Sequence, residues 1–310
     1  MTPLENDLAR VIPLRDSYLS IGVFDGVHLG HRYLLEVLLS EAAVAECAAG
    51  VVTFRNNPVA VLRPEISIQS LTTLEERTRL LGGFGIDLVV PITFTLEVSG
   101  VTAREFVAGL QRYLHMRGLV VGPDFALGHN RQGTPAVLEA LGKELGFSVK
   151  VVDTYMQGDV RVSSSAIRVA LTQGDVIMAS RLLGKYYSLT GKVVPGAGRG
   201  GSMLGYPTAN LAVDAGILLP ADGIYATWAY IDQHRYLAAT SIGVRPTFGA
   251  GERTIEAFVM DFHGDLYHKG IRLEFVERLR DEVPFHNIDA LRKQMDMDVE
   301  QVRAILSMAT

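Results

Sequence analysis

A change of rhythm partway along the chain limits its fold more than any other feature of the sequence. Between Tyr18 and Val152, short β-rich runs alternate with helical patterns. Parallel strands need long crossovers, which helices supply, so this half reads as an α/β domain with a Rossmann-like parallel sheet. The expected strands are Tyr18–Val23, Gly50–Phe54, Leu88–Pro91, Gly118–Val121 and Val149–Val152, most of them continuous and Val-rich as a sheet buried on both faces requires. Thr73-x-x-Glu76 and Thr102-x-x-Glu105 look like capping boxes, and Thr134-Pro135 sets proline where a first helical residue tolerates it. A short helix, Val176–Leu183, ends at Gly184, and a domain boundary is expected there, giving domains 1–184 and 185–310.

Beyond that boundary the extended runs Tyr187–Val194, Gly223–Tyr230, Tyr236–Ile242, Thr254–Phe262 and Ile271–Val276 are separated by Gly, Pro and Asp. No spacer is long enough for a parallel crossover, so the second half is expected to be an antiparallel β-barrel. Ile288, Leu291, Met295, Val299, Val302 and Leu306 recur at threes and fours, which defines one face of a terminal helix packed on that barrel. At 310 residues and 48% apolar, the chain can bury a core in each half. Its 29 basic against 34 acidic residues leave a formal charge of −5, so no global basic surface calls for nucleic acid. A single cysteine, Cys47, excludes a disulfide framework within the chain and fits a reducing cytoplasm. The start lacks the order of a signal peptide and no apolar run approaches about 18 residues, so a soluble protein without a membrane partner is expected.

The densest chemical signal is Gly22-Val-Phe-Asp-Gly-Val-His-Leu-Gly-His31, which runs off a strand toward a helix expected to start near His31. In an α/β sheet ligands bind beyond the carboxyl ends of strands, and a helix N-terminus there offers unpaired N–H groups to anions, so a phosphate site is the natural reading. His28 and His31, three apart, could both donate hydrogen bonds to a phosphate gaining charge. A pair of surface histidines or a zinc fragment would share that spacing, but nearby only Asp25 could add a ligand, and no Walker sequence is present. Ser163 to Ser165 before Ala166-Ile-Arg168 form an N-cap cluster, with Arg168 one turn into the helix.

The Gly-x-Phe-Asp-Gly-x-His-x-Gly-His run resembles the His-x-Gly-His signature of the nucleotidylyltransferases, in the form found in bacterial bifunctional riboflavin kinase/FMN adenylyltransferases, the FAD synthetases. Val162-Ser-Ser-Ser-Ala-Ile-Arg168 is similar to the second nucleotide-binding motif of that family, and Asp124-Phe-Ala-Leu-Gly-His-Asn-Arg-Gln-Gly133 to its loop beside the flavin and adenine. The resemblance implies ATP contacts at Gly22, Phe24, Asp25, Gly30, Ser164 and Ser165, and charge stabilisation by His28, His31 and Arg168. It also implies flavin contacts at Asp124, Phe125 and Arg131. FMN phosphate would attack the α-phosphorus of ATP, a reaction that needs positioning and electrostatics but no protein nucleophile. Asn57 stands where the family commonly has a histidine; lacking charge, it would weaken a phosphate contact there or leave it to Arg55.

In the second half, Gly196 to Gly205 form a glycine-rich stretch, which by itself reads as a hairpin connection. The following Tyr206-Pro-Thr-Ala-Asn210 resembles the Pro-Thr-Ala-Asn signature of riboflavin kinases. That likeness implies that Thr208 and Asn210 bind Mg²⁺ and ATP, with Arg199 as the loop's basic contact, and hard oxygen ligands suit magnesium. Glu256, in Arg253-Thr-Ile-Glu-Ala-Phe-Val-Met260, is similarly implied as the base that deprotonates the riboflavin 5′-hydroxyl. Alternation sets it on the face of Phe258 and Met260, opposite Ile255, Ala257 and Val259. The segments 241–248 and 279–285 also resemble the family, which implies flavin contacts at Arg280 and Phe285, whose plain readings are a surface ion pair and a core anchor.

The sequence therefore leads to a nucleotidylyltransferase-like α/β domain and an antiparallel barrel with a terminal helix, making FMN and then FAD from riboflavin with Mg-ATP in both steps. Riboflavin, FMN, FAD, ATP and ADP are its expected partners. Two rivals stay open at this level: an adenylyltransferase whose altered loop impairs the kinase, and a non-enzymatic flavin-binding regulator. Sequence leaves the oligomeric state, homo-oligomer included, undecided.

Overall fold

The computed structural model describes residues 1–195, 206–244 and 253–309. By packing, the chain forms two compact units, Met1–Ser164 and Ser165–Thr310. The first holds a five-stranded parallel sheet of β1 (Ser17–Ile21), β2 (Ala48–Phe54), β3 (Leu88–Ile92), β4 (Met116–Val121) and β5 (Ser148–Val151), in the order β3-β2-β1-β4-β5. Helix α1 (Pro3–Leu8) precedes it; α2 (Leu29–Val44) crosses from β1 to β2, α3 (Pro58–Leu62) and α4 (Leu74–Gly83) from β2 to β3. Helices α5 (Leu96–Ser99) and α6 (Ala103–Leu114) cross from β3 to β4, and α7 (Pro135–Leu145) from β4 to β5.

One face of the sheet buries Leu35 and Leu38 of α2 and Leu81 of α4. The other buries Leu4 and Leu8 of α1, Phe106 and Leu110 of α6, and Leu138 of α7. That double cover explains why Ala48 through Thr53 of β2 are all buried and why these strands read as continuous apolar runs. Strand order reverses between β1 and β4, so the carboxyl end of β1 lies at the switch point where open α/β sheets take their ligands.

The ends of the helices partly follow the expected caps. Thr102 and Glu105 complete a capping box on α6. Thr73 caps α4 through the Glu76 N–H (3.1 Å), but the Glu76 carboxylate is held by Arg79 (2.7 and 2.8 Å), so that box is half formed. Thr134 makes no side-chain cap bond, although Pro135 does open α7. A further complete box, Thr2 with Glu5, starts α1 in a stretch where sequence patterning signalled no helix.

A short hairpin, β6 (Met156–Gln157) with β7 (Val160–Arg161), closes the first unit. Helix α8 (Ser164–Thr172) and helix α9 (Val176–Leu183) lead into the second. There β8 (Tyr187–Val194), β9 (Ala209–Ala212), β10 (Gly223–Ile231), β11 (His234–Val244), β12 (Arg253–Val259) and β13 (Gly270–Arg280) close an antiparallel barrel in the order β10-β11-β12-β9-β8-β13. Its interior is filled by Tyr225, Phe275, Leu273, Ile242, Ile255 and Ala257, none more than 2% exposed. Strand β12 stops at Val259, short of the expected Phe262, because Asp261 turns the chain at φ 57°. Helix α10 (Ile288–Met308) packs through Val302 and Leu306 against Ala226, Trp228 and Val276 on the barrel's outer surface.

Leu306 is fully buried in that contact. Leu306→Ala is expected to destabilise the barrel unit by about 2–5 kcal/mol, read as a lowered denaturation midpoint, because truncation loses transfer energy and leaves a cavity.

Candidate functional site

The turn after β1 is built from backbone that ordinary residues avoid. Phe24 (φ 52°) and Val27 (φ 45°) both adopt left-handed conformations, which cost about 1–3 kcal/mol each. Asp25 offsets that cost: its buried carboxylate accepts from the backbone N–H of Leu71 (2.9 Å) and Thr72 (3.1 Å) and from the Thr72 hydroxyl (3.2 Å). Bonds to a charged group contribute about 1.5–3 kcal/mol each, which is of the same order as the strain. The Thr72 hydroxyl in turn accepts from the Gly26 N–H (3.1 Å).

Helix α2 begins one residue after His28 rather than near His31. His28 is its N-cap, and the imidazole Nδ1 accepts from the His31 backbone N–H (3.2 Å). An Nδ1 that accepts carries no proton, which puts the ring proton of a neutral His28 on Nε2. The two rings stack with centroids 3.6 Å apart. Burial, then His28, then Arg77 push the His31 imidazole well below its usual range, so it is held neutral. Gly30 lets this corner close: a Cβ there would lie 3.3 Å from the His28 ring and 3.3 Å from the Val162 carbonyl oxygen. The Ser164 hydroxyl donates to the Asp25 carbonyl (2.9 Å), which ties the last residue of the first unit to the same turn. Ser165, exposed, and Arg168, half-buried, follow in α8.

Two of the expected ATP residues turn inward. Phe24 is 3% exposed within the core beneath the turn, its ring 5.0 Å from that of His31, and the Asp25 carboxylate is taken up by Leu71 and Thr72. Their side chains shape the turn.

Beside the turn, a cavity of about 520 Å³ opens past the ends of β1, β2 and β3, lined by Gly22, Phe54, Phe94, Phe106, Phe125 and Arg131 among others. Asp124 is on its rim, ion-paired to Arg161 (2.5 Å), while Arg131 donates to the Asp124 carbonyl (3.2 Å). Neither histidine lines it, so the anion-type turn and the aromatic cavity are adjoining features that share Gly22 and Val23. Asn57 also lines it and caps α3, its side-chain oxygen accepting from the Val59 N–H (2.9 Å); Arg55 is exposed. Asn56 went unnoticed in the sequence, yet it clamps the walls by bonding both the Phe94 carbonyl (2.8 Å) and the Phe94 N–H (2.9 Å).

In the second unit a cavity of about 640 Å³ lies outside the barrel, against the first half of α10. Thr208, Glu256, Phe258, Arg280 and Phe285 line it with Leu291, Met295 and Val299 of the helix. Alternation along β12 is the reason: Ile255, Ala257 and Val259 fill the barrel, which leaves Glu256 and Phe258 facing outward. The Thr208 hydroxyl donates to Glu256 (3.2 Å), and Asn210 pairs with Glu256 across β9 and β12. Met260, past the strand's end, is buried with the α10 contact and does not line the cavity.

Arg280, a wall of this cavity, is also engaged elsewhere. Its guanidinium binds the buried Asp298 of α10 through both carboxylate oxygens (2.9 and 2.6 Å) and stands over the Phe285 ring at 5.9 Å, so it clamps the helix to the cavity wall. Tyr206, which sequence reading passed over, donates to Asp296 and packs edge-on against Phe258 (5.0 Å). Arg199 and the segment 245–248 lie outside the described residues. Among the described residues no cluster of three or more His, Cys, Asp or Glu could hold a metal by itself.

Comparison with known proteins agrees with this two-site arrangement. Residues 12–166 match the FAD synthetase family model and residues 183–306 the riboflavin kinase model. The chain is 32% identical to a bifunctional riboflavin kinase/FMN adenylyltransferase of Escherichia coli K12, over 92% of this chain and 91% of that protein. It is 34% identical to one from Pseudomonas fluorescens, over 92% of each. A crystal structure described as a macrolide-efflux protein from Streptococcus pneumoniae has a TM-score of 0.89 and 30% identity, covering 96% of both chains.

Asp25 carries the turn, so Asp25→Ala is expected to lower the stability of the first unit by about 3 kcal/mol or more, since several charge-assisted bonds vanish and backbone donors are left buried. Thermal unfolding of the variant beside the native protein reads the difference.

Proposed function

The chain belongs to the bifunctional riboflavin kinases/FMN adenylyltransferases, and from that membership we propose which of its residues serve each reaction. It phosphorylates riboflavin to FMN with ATP and adenylates FMN to FAD with release of pyrophosphate. The division rests on one observation: the residues resembling the two family signatures fall on separate cavities, Asp124, Phe125 and Arg131 on one and Thr208 and Glu256 on the other. We assign adenylylation to 1–184 and phosphorylation to 185–310.

In the kinase, the outer cavity of the barrel takes the flavin, with its apolar wall of Phe258, Leu291, Met295 and Val299 suited to a flat aromatic ring. Glu256 accepts the proton of the riboflavin 5′-hydroxyl as that oxygen attacks the γ-phosphorus, and ADP departs. The Thr208 hydroxyl orients the carboxylate from 3.2 Å. A hydroxyl, an amide and a carboxylate gathered at paired strand positions form an all-oxygen donor set that fits Mg²⁺, whose remaining positions are filled by water and phosphate. Thr208 and Asn210 would hold it, and its charge would offset that developing on the phosphates.

In the adenylyltransferase, the aromatic cavity between Phe54, Phe94 and Phe125 takes the FMN ring, and the neighbouring turn takes the ATP phosphates. A phosphate oxygen of FMN attacks the α-phosphorus of ATP and pyrophosphate leaves. His28, with its proton on Nε2, donates to the reacting phosphate, and the helix N-terminus it caps supplies further N–H groups. The roles of His31, Ser164, Ser165 and Arg168 follow from the motif likeness, with Ser164 already bonded to the turn. No helix among the described residues is long and apolar enough to cross a membrane; the single cysteine supports a cytoplasmic location.

Chromatography of the flavins formed from riboflavin or from FMN, each with ATP and Mg²⁺, tests the division. Glu256→Gln is expected to slow FMN formation by about 100- to 10,000-fold while FMN is still converted to FAD. His28→Ala is expected to do the reverse, slowing FAD formation by about 100-fold or more. Loss of both activities in either variant would refute the separation. A chelator should stop both steps, and Mg²⁺ should restore them.

A further inference from the structure

Arg77 is a cation in an unusual place. It lies on α4, one turn before Leu81, and the two are the buried residues of that helix. Its side chain is 5% exposed, and Nη1 donates to the Val23 carbonyl (2.5 Å) while Nε has no partner among the described residues. The same carbonyl accepts from the buried Thr53 hydroxyl of β2 (3.0 Å), so both of its lone pairs are engaged. Val23 is the link between the two features of the first site, since it lines the aromatic cavity and precedes the strained turn that carries the histidines.

Packing alone does not account for such a residue. An apolar side chain of similar volume fills a buried position at lower cost than a guanidinium with an unpaired nitrogen. Its charge acts on groups of the same turn. Asp25 acts on Arg77 as its opposite charge, and Arg77 acts on His31 as a like charge. From β2 comes the neutral hydroxyl of Thr53, which shares the Val23 carbonyl with Arg77. On α2 the facing titratable group is His28, whose ring stacks on His31 and whose Nδ1 must stay unprotonated to cap the helix.

We propose that Arg77 is a positioning residue for adenylyl transfer: it fastens the strand-exit turn through the Val23 carbonyl and sets a fixed positive charge against His31, whose ring stacks on that of His28. A proton added to His31 would leave an imidazolium facing the charge of a buried guanidinium. Removing the charge at position 77 therefore lets His31 take up a proton at higher pH, and activity fails sooner as pH falls.

The proposal rests on adenylyl transfer occurring at the histidine turn. Arg77→Met keeps bulk and removes charge; Arg77→Lys keeps charge and loses the planar fork. For Arg77→Met we expect FAD formation from FMN to fall about tenfold or more in kcat, with riboflavin phosphorylation unchanged. Its acid limb should move to higher pH. For Arg77→Lys we expect a reduced kcat with the acid limb in its native position. An acid limb that stays put in Arg77→Met overturns the proposal whatever happens to kcat. If Arg77→Met loses the kinase activity as well, Arg77→Lys decides: a native limb supports the proposal and an upward displacement of similar size overturns it. Retained FAD formation in His28→Ala would refute the placement of the reaction, whereas an unmoved limb with His28 still required refutes only the role of Arg77.

Discussion

The adenylylating half depends on the fastening of one turn. A chain leaving the end of β1 must turn twice through left-handed conformations at Phe24 and Val27 to bring His28 to the start of α2. Nothing local favours that path. It persists because the Asp25 carboxylate is bound by the backbone ahead of α4 and the Val23 carbonyl is gripped from β2 and α4 together. The turn is thus held by elements far along the chain, and its strain is stored where the signature histidines stand.

The kinase half solves a different problem. A closed barrel buries its interior completely, so its ligand cavity has to be made on the outside. Helix α10 supplies the missing wall: its last turns dock through Val302 and Leu306, while its first turns stand off and enclose a space against β11, β12 and the segment after β13. The Arg280–Asp298 clamp fixes that spacing. The helix has an apolar stripe along its length, but half of the stripe faces the outer cavity and half faces the barrel.

Much of this was legible in the order of residues. The parallel strands are apolar throughout because both faces are covered, and β12 alternates because one face is, so each announces its burial directly. The signature runs fell where backbone comes close to a neighbour, as Gly30 does between the His28 ring and Val162. Other features left faint marks: α1 had its Thr2–Glu5 box, and Arg77 was a charge on the buried face of α4, in phase with Leu81. The four-residue β9 is too short for its pattern to stand out.

Sequence by itself determined the two architectures, the periodicity that points Glu256 away from the barrel core, and the motifs that identify the chemistry, because these depend on residue type and local spacing. Only the tertiary structure decided that the Asp25 carboxylate binds the backbone of Leu71 and Thr72, that Arg280 pairs with Asp298, and that Arg77 grips the Val23 carbonyl. Each of those outcomes sets partners against one another across long stretches of chain, and a carboxylate or guanidinium carries no mark of which partner will be nearest once the core has closed.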